Sequence, residues 1–197
     1  FRFATIQIAD KKNPITLYAM HCNKDTTSEQ IVEELVLQAR KLVRIKCVLI
    51  DRGFYDTNVF NKLEQLGVKY LMPCKSDDRT NKMFDEHLKS DYEVEPYSCR
   101  NAKKEYADFN LIMIRLKDGK EIGYVTNMHF IKLHKAKYYI QLYQRRWNIE
   151  TGYRLQNMFL AKTCSIHPSI RLFYFCYAVA LHNLWVMIKN KLQSNNF

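Results

Sequence analysis

The chain has 197 residues, 31 Lys+Arg against 20 Asp+Glu for a formal charge of +11, and 47% hydrophobic residues. That length suits one domain with a sizeable core, or one domain plus an insertion, and the apolar content argues against a disordered chain. With five glycines and neither a GxGxxG nor a GxxxxGK[ST] run, a glycine-cradled nucleotide site is excluded, and the excess positive charge points to a polyanionic partner.

Residues 2–9 (RFATIQIA) and 15–20 (ITLYAM) read as strands joined by the turn Asp10-Lys11-Lys12-Asn13-Pro14, which predicts an antiparallel hairpin. Thr27-x-x-Gln30 forms a capping box. Ile31, Leu35, Ala39 and Leu42 follow at helical spacing, and the helix is expected to end near Arg44. Cys47-Val48-Leu49-Ile50 is a continuous apolar run, the pattern of a strand covered on both faces. Asp51-Arg52-Gly53 ends it. Asp56 can cap a second helix carrying Val59, Phe60, Leu63 and Leu66, closed by Gly67, and residues 68–72 form the next strand. Strand, helix and strand with short links make a parallel crossover. Asp51 then sits at the carboxyl end of a strand, where active-site groups of open α/β sheets gather. The alternative is a turn or capping aspartate.

Residues 75–95 are polar, with a helical piece around 81–88. From 97 to 127 the pattern turns β-rich, with Lys117-Asp118-Gly119-Lys120 as a hairpin turn. One long helix is expected from about residue 132 to 160, with Gly152 inside it at a cost of about 1 kcal/mol against Ala. Residues 172–188, 17 in all, are expected to form a buried core helix, shorter than the ~20 apolar residues of a membrane span. The six cysteines contain no CxxC pair and none has a zinc-finger neighbour. Free thiols, buried at Cys47 and Cys176, and a reducing intracellular setting are expected.

The charge is uneven: residues 1–121 carry +2 and residues 122–197 carry +9, with Glu150 the single acid of the latter stretch. Aromatics (Tyr138, Tyr139, Tyr143, Trp147, Tyr153 and Phe159) are interleaved with these basic residues, a mixture suited to phosphates and stacked bases. A solvated basic helix is the alternative. Tyr143, Arg146, Glu150 and Asn157 return to one face of a helix. A surface Arg146–Glu150 pair would have the less favourable order for helical ion pairing. Asp51 and Glu150 together supply hard oxygen donors suited to Mg²⁺ or Mn²⁺.

Asp51-Arg52-Gly53-Phe54-Tyr55 after an apolar strand, followed by Tyr143-Gln144-Arg145-Arg146-Trp147-Asn148-Ile149-Glu150, resembles the DDE insertion-sequence transposases bearing the signature Y-x2-R-x3-E-x6-K. The resemblance runs from the first hairpin to the last helix. It implies an RNase H-like α/β fold, a mixed five-stranded sheet flanked by helices. Residues 1–96 would form the first part of the core, 97–127 a small β-rich insertion before the last catalytic helix, and 128–197 the C-terminal catalytic and core helices. It implies metal-dependent strand cleavage and strand transfer at transposon ends on a two-metal Mg²⁺ (or Mn²⁺) site. Asp51 and Glu150 would be catalytic metal ligands, and Tyr143, Arg146, Trp147, Arg154 and Lys162 DNA contacts. The implied partners are terminal inverted repeats and target DNA, bound by a homodimer in a prokaryotic cytoplasm, with no membrane.

Two positions depart from the pattern. The signature lysine is Asn157. The family's first aspartate lies on a strand ahead of the hairpin, and Asp10, in a turn, is in the wrong place for it. The chain as given is therefore expected to lack that strand and to cleave poorly. The competing readings are a DNA-binding remnant without catalysis, another RNase H-like nuclease, and a peripheral membrane protein.

Overall fold

A computed structural model describes residues 2–9, 14–101, 105–128 and 136–194, with the side chains at 136, 137, 147–151 and 194 outside the description. Two compact units result: Phe1–Val43 with Gln144–Phe197, and Arg44–Tyr143.

In the first unit, β1 (Arg2–Ile8) and β2 (Ile15–Cys22) pair antiparallel, as the alternation predicts. Helix α1 (Ser28–Arg40) starts on the predicted capping box: Thr27 Oγ1 accepts from Gln30 N at 3.2 Å, and Gln30 Oε1 accepts from Thr27 N at 3.0 Å. The helix stops four residues before Arg44. Leu42, which the periodicity assigned to the apolar face, is 63% exposed and gives no packing to extend it. Helices α5 (Trp147–Phe159) and α6 (Pro168–Ser194) complete this unit, α6 packing on β2 and α5.

The second unit is built on a five-stranded sheet of order β3-β4-β7-β6-β5. β3 (Val48–Leu49) runs parallel to β4 (Tyr70–Pro73), with α2 (Thr57–Gln65) as the crossover between them. Asp56 caps α2 as predicted, accepting from Asn58 N at 2.8 Å. α3 (Asp78–His87) begins three residues earlier than expected because Asp77 and Thr80 form a capping box of their own. β5 (Tyr92–Arg100), β6 (Tyr106–Arg115) and β7 (Glu121–Thr126) are antiparallel neighbours, and β7 pairs antiparallel with β4. The β6–β7 turn falls on the predicted residues, with Gly119 at φ +79°, where a Cβ is strained. The β-rich segment thus extends the sheet that carries β3 and β4. α4 (Ala136–Gln144) follows.

The sheet is mixed and flanked by helices, as the fold class requires. On one face, Phe60 of α2 packs its ring 4.9 Å from Phe109 and 5.7 Å from Tyr70. On the other, Tyr139 and Tyr143 of α4 cluster with Leu71, Tyr92, Ile112, Ile114 and Tyr124. Leu111, Ile112, Met113 and Val125 at the sheet centre are fully buried, each worth about 1.5–3 kcal/mol of transfer free energy.

Three further expectations change. The single helix expected across 132–160 is interrupted by a turn at residues 145 and 146. α4 is anchored in the second unit by Tyr139 and Tyr143, and α5 in the first by Gln156, so the two halves answer to different packing. The apolar helix at 172–188 is not buried. Only one side of α6, with Ala178, Val179, His182 and Val186, is covered, while Phe173, Tyr177, Leu184 and Met187 are exposed. By length and composition Pro168–Gln193 could cross a membrane, although its covered side packs within its own unit. All six cysteines are free thiols, and Cys176 is exposed where burial was expected.

Candidate active site and nucleic-acid interface

The strand β3 delivers Asp51 to its carboxyl end. Ile50, 6% exposed, donates its backbone N–H to Leu71 O at 3.1 Å and so continues the parallel pairing one residue past β3. Asp51 is exposed, and the chain turns at once into a 3₁₀ turn at Arg52–Phe54, with Phe54 N donating to Asp51 O at 3.0 Å. The Asp51 side chain makes no cap hydrogen bond to that turn, which removes the capping role as the reason for an aspartate here.

Tyr143 was expected at a DNA surface. It is instead 7% exposed, in the core of the second unit, its ring 5.2 Å from that of Tyr124. Its hydroxyl donates to Ile50 O at 3.3 Å, the carbonyl immediately before Asp51. A ring held this way braces the strand end and is not presented to a phosphate. Burial pushes the neighbouring Tyr124 and Tyr139 hydroxyls above their ordinary pKa, so both stay neutral in the physiological range. Cys47, packed against the same cluster, is pushed up to about 12 by burial and is a poor nucleophile.

Arg146 lies half-buried in the turn ahead of α5. Because that turn interrupts the helix, Tyr143 does not share a continuous helical face with Arg146, Glu150 and Asn157. The backbone at Trp147 and Glu150 belongs to the first turn of α5; their side chains lie outside the described residues. Arg154 and Asn157 are exposed on α5, and Lys162 is exposed in the segment that follows. Arg171 turns back to hold that segment, donating from Nε to Ser165 O at 2.6 Å. Asp10 lies outside the described residues.

Asp51 offers carboxylate oxygen, the donor that Mg²⁺ and Mn²⁺ prefer, exposed at a strand end, and in kind it fits such an ion. Among the described residues no three His, Cys, Asp or Glu side chains gather as a ligand group. Sequence reasoning missed the buried Thr16 of the hairpin and Gln156 of α5, and the half-buried Asn183 of α6. A lone Gln or Thr within an apolar pattern carries no signal of its partner.

A mixed, helix-flanked sheet with an exposed carboxylate at the end of its parallel strand is the frame of a transposase catalytic domain. The transposase DDE domain family matches residues 5–181, and the chain belongs to that family. Its fold is similar to that of piggyBac transposase, in the cryo-EM structure of its synaptic complex with hairpin DNA, at a TM-score of 0.58 and 13% identity. That match covers 92% of this chain and 40% of the piggyBac chain, so this chain spans well under half of that protein. No curated protein matches the sequence.

Proposed function

We propose that the chain is the catalytic domain of a cut-and-paste DNA transposase of the group bearing the Y-x2-R-x3-E-x6-K signature. The observation that carries this reading is Asp51, exposed at the end of β3 and unused as a cap, inside a family match that runs on through the Glu150 helix. Asp51 and Glu150 are the residues that would hold the Mg²⁺ or Mn²⁺ pair, with residues 97–127 as a β-rich insertion between them. A bound divalent pair supplies charge stabilisation for the attacking and leaving oxygens of an in-line displacement.

The substrate is DNA at the terminal inverted repeats, and later the target duplex. In the cleavage step water attacks the scissile phosphorus, the P–O3′ bond breaks and the 3′ oxygen leaves as a hydroxyl. That hydroxyl then attacks a target phosphorus in strand transfer, the target P–O3′ bond breaks, and the target 3′ oxygen leaves as a hydroxyl with the proton the attacking group gives up. Arg146, Arg154 and Lys162 oppose phosphate charge, and Trp147 stacks on a base near the cut. Asn157 cannot supply the signature's cation, which leaves Arg154 and Lys162 as its substitutes. The structural relative in complex with DNA supports this partner class. Paired ends call for a homodimer, and the setting is a prokaryotic cytoplasm with the protein on the nucleoid and no membrane.

A second reading, a DNA-binding derivative without catalysis, is favoured by Asn157 standing where the signature has a lysine. One experiment separates the two: incubation of the full-length gene product with its own element ends and Mg²⁺ or Mn²⁺. Cleavage that disappears on chelation and in Asp51→Asn supports the enzyme. End binding without any cleavage supports the derivative.

A further inference from the structure

Helix α5 carries residue 150 in its first turn, and the next turn is tied to the hairpin by unusually specific contacts. At Gly152 the helix runs so close to the hairpin that a Cβ would stand 3.1 Å from Gln7 Oε1 and 3.4 Å from Pro14 Cγ. One residue on, the Tyr153 and Thr5 hydroxyls are hydrogen-bonded. One turn on, Gln156, 2% exposed, donates from Nε2 to Thr16 Oγ1 at 2.6 Å. Thr16 is itself 4% exposed and lies opposite Gln7 in the β1–β2 ladder. Its backbone is gripped from α6: Thr16 N donates to Asn183 Oδ1 at 3.1 Å, and Asn183 Nδ2 donates to Thr16 O at 2.8 Å.

Apolar packing alone holds a helix loosely in register, because neighbouring registers bury similar surface. A buried hydrogen bond has one register, since losing it strands a desolvated polar group. A slip of one residue moves any position on α5 by about 1.5 Å along the axis and about 100° around it. A glycine inside a helix weakens it against alanine, and here it permits the close approach that the Gln156–Thr16 bond needs.

We infer that Gly152, Gln156 and Thr16 are positioning residues, which fix the register of α5 on the hairpin and so place Glu150 as a metal ligand. The inference rests on the reading of Glu150 proposed above.

The test measures Mn²⁺ affinity, from the electron paramagnetic resonance of free Mn²⁺, alongside urea unfolding. The proteins are the wild type, Glu150→Gln, Thr16→Ser, Thr16→Val, Gln156→Leu and the double variant Thr16→Val/Gln156→Leu. Removing one partner leaves the other buried and unsatisfied, whereas removing both is nearly neutral for stability. Positioning predicts that Thr16→Ser binds Mn²⁺ as the wild type does. It predicts that the double variant recovers most of the stability lost in the single variants yet binds Mn²⁺ about tenfold more weakly, the low end for outer-shell substitutions. Affinity that returns to the wild-type value together with stability in the double variant overturns the inference while leaving Glu150 as a ligand. Wild-type affinity in Glu150→Gln, or no Mn²⁺ binding by the wild type, overturns the ligand reading and the inference with it.

Discussion

Tyr143→Phe deletes one oxygen and keeps the ring, and it separates two roles for this residue. In the structure the hydroxyl is buried and reaches Ile50 O at 3.3 Å, longer than the ~2.7–2.8 Å of a typical O–H···O bond. Its net worth therefore falls at the low end of the ~0.5–1.5 kcal/mol of an intramolecular hydrogen bond. At about 2–4 °C per kcal/mol for a chain of this size, the Tm should fall by roughly 1–2 °C. Tyr143→Ala removes a ring packed on Tyr124 and should cost about 3–5 kcal/mol. Urea unfolding and fluorescence anisotropy with an end-containing duplex at fixed salt read both effects. A brace leaves the DNA affinity of Tyr143→Phe within about twofold of the wild type. A phosphate contact made by this hydroxyl would be worth about 1.5–3 kcal/mol, so DNA binding weakened tenfold or more at unchanged stability refutes the argument.

Three further outcomes follow from named residues. His182 is fully buried, and burial lowers its pKa below the ordinary 6.5. Below about pH 6.5 the unfolded chain takes up a proton that the folded chain resists, so stability should fall as pH drops through that value and the loss should shrink in His182→Gln; equal pH dependence of the urea midpoint in both proteins contradicts this. Arg154→Gln and Lys162→Gln should each lower the slope of log K against log salt for duplex binding by about 0.9 if each residue meets one phosphate, and an unchanged slope removes that residue from the interface. In timed thiol labelling, exposed Cys164 should react first, while Cys74, its pKa pushed up to about 11 by burial, and the buried Cys22 lag until the chain unfolds.

What was legible in the sequence was local chemistry. Thr27 with Gln30, Asp56 before its helix and Gly119 in the β6–β7 turn each act on neighbours a few residues away, and each appears in the structure as read. The place of Asp51 at a strand end was legible because a continuous apolar run stops on it. The depth of Tyr143 was not, since a tyrosine at helical spacing beside basic residues reads equally as a surface or a core group. The break between α4 and α5 was also hidden. No proline or glycine marks residues 145 and 146, and the break reflects the two helices being held by different units. α6 misled in the opposite direction, because apolar composition predicts cover on all sides and says nothing about which side receives it. The Gln156–Thr16–Asn183 cluster joins residues up to 167 positions apart, beyond the reach of any local pattern.

The central claim is that Asp51 and Glu150 serve one metal-dependent phosphoryl-transfer site. It is tested most directly by single-turnover cleavage of the element's own ends by the full-length gene product, across a Mn²⁺ titration, in the wild type, Asp51→Asn and Glu150→Gln. The account predicts Mn²⁺-dependent nicking by the wild type and a loss of at least a hundredfold in each variant, with end binding retained. Mn²⁺-dependent cleavage that survives in either variant contradicts it.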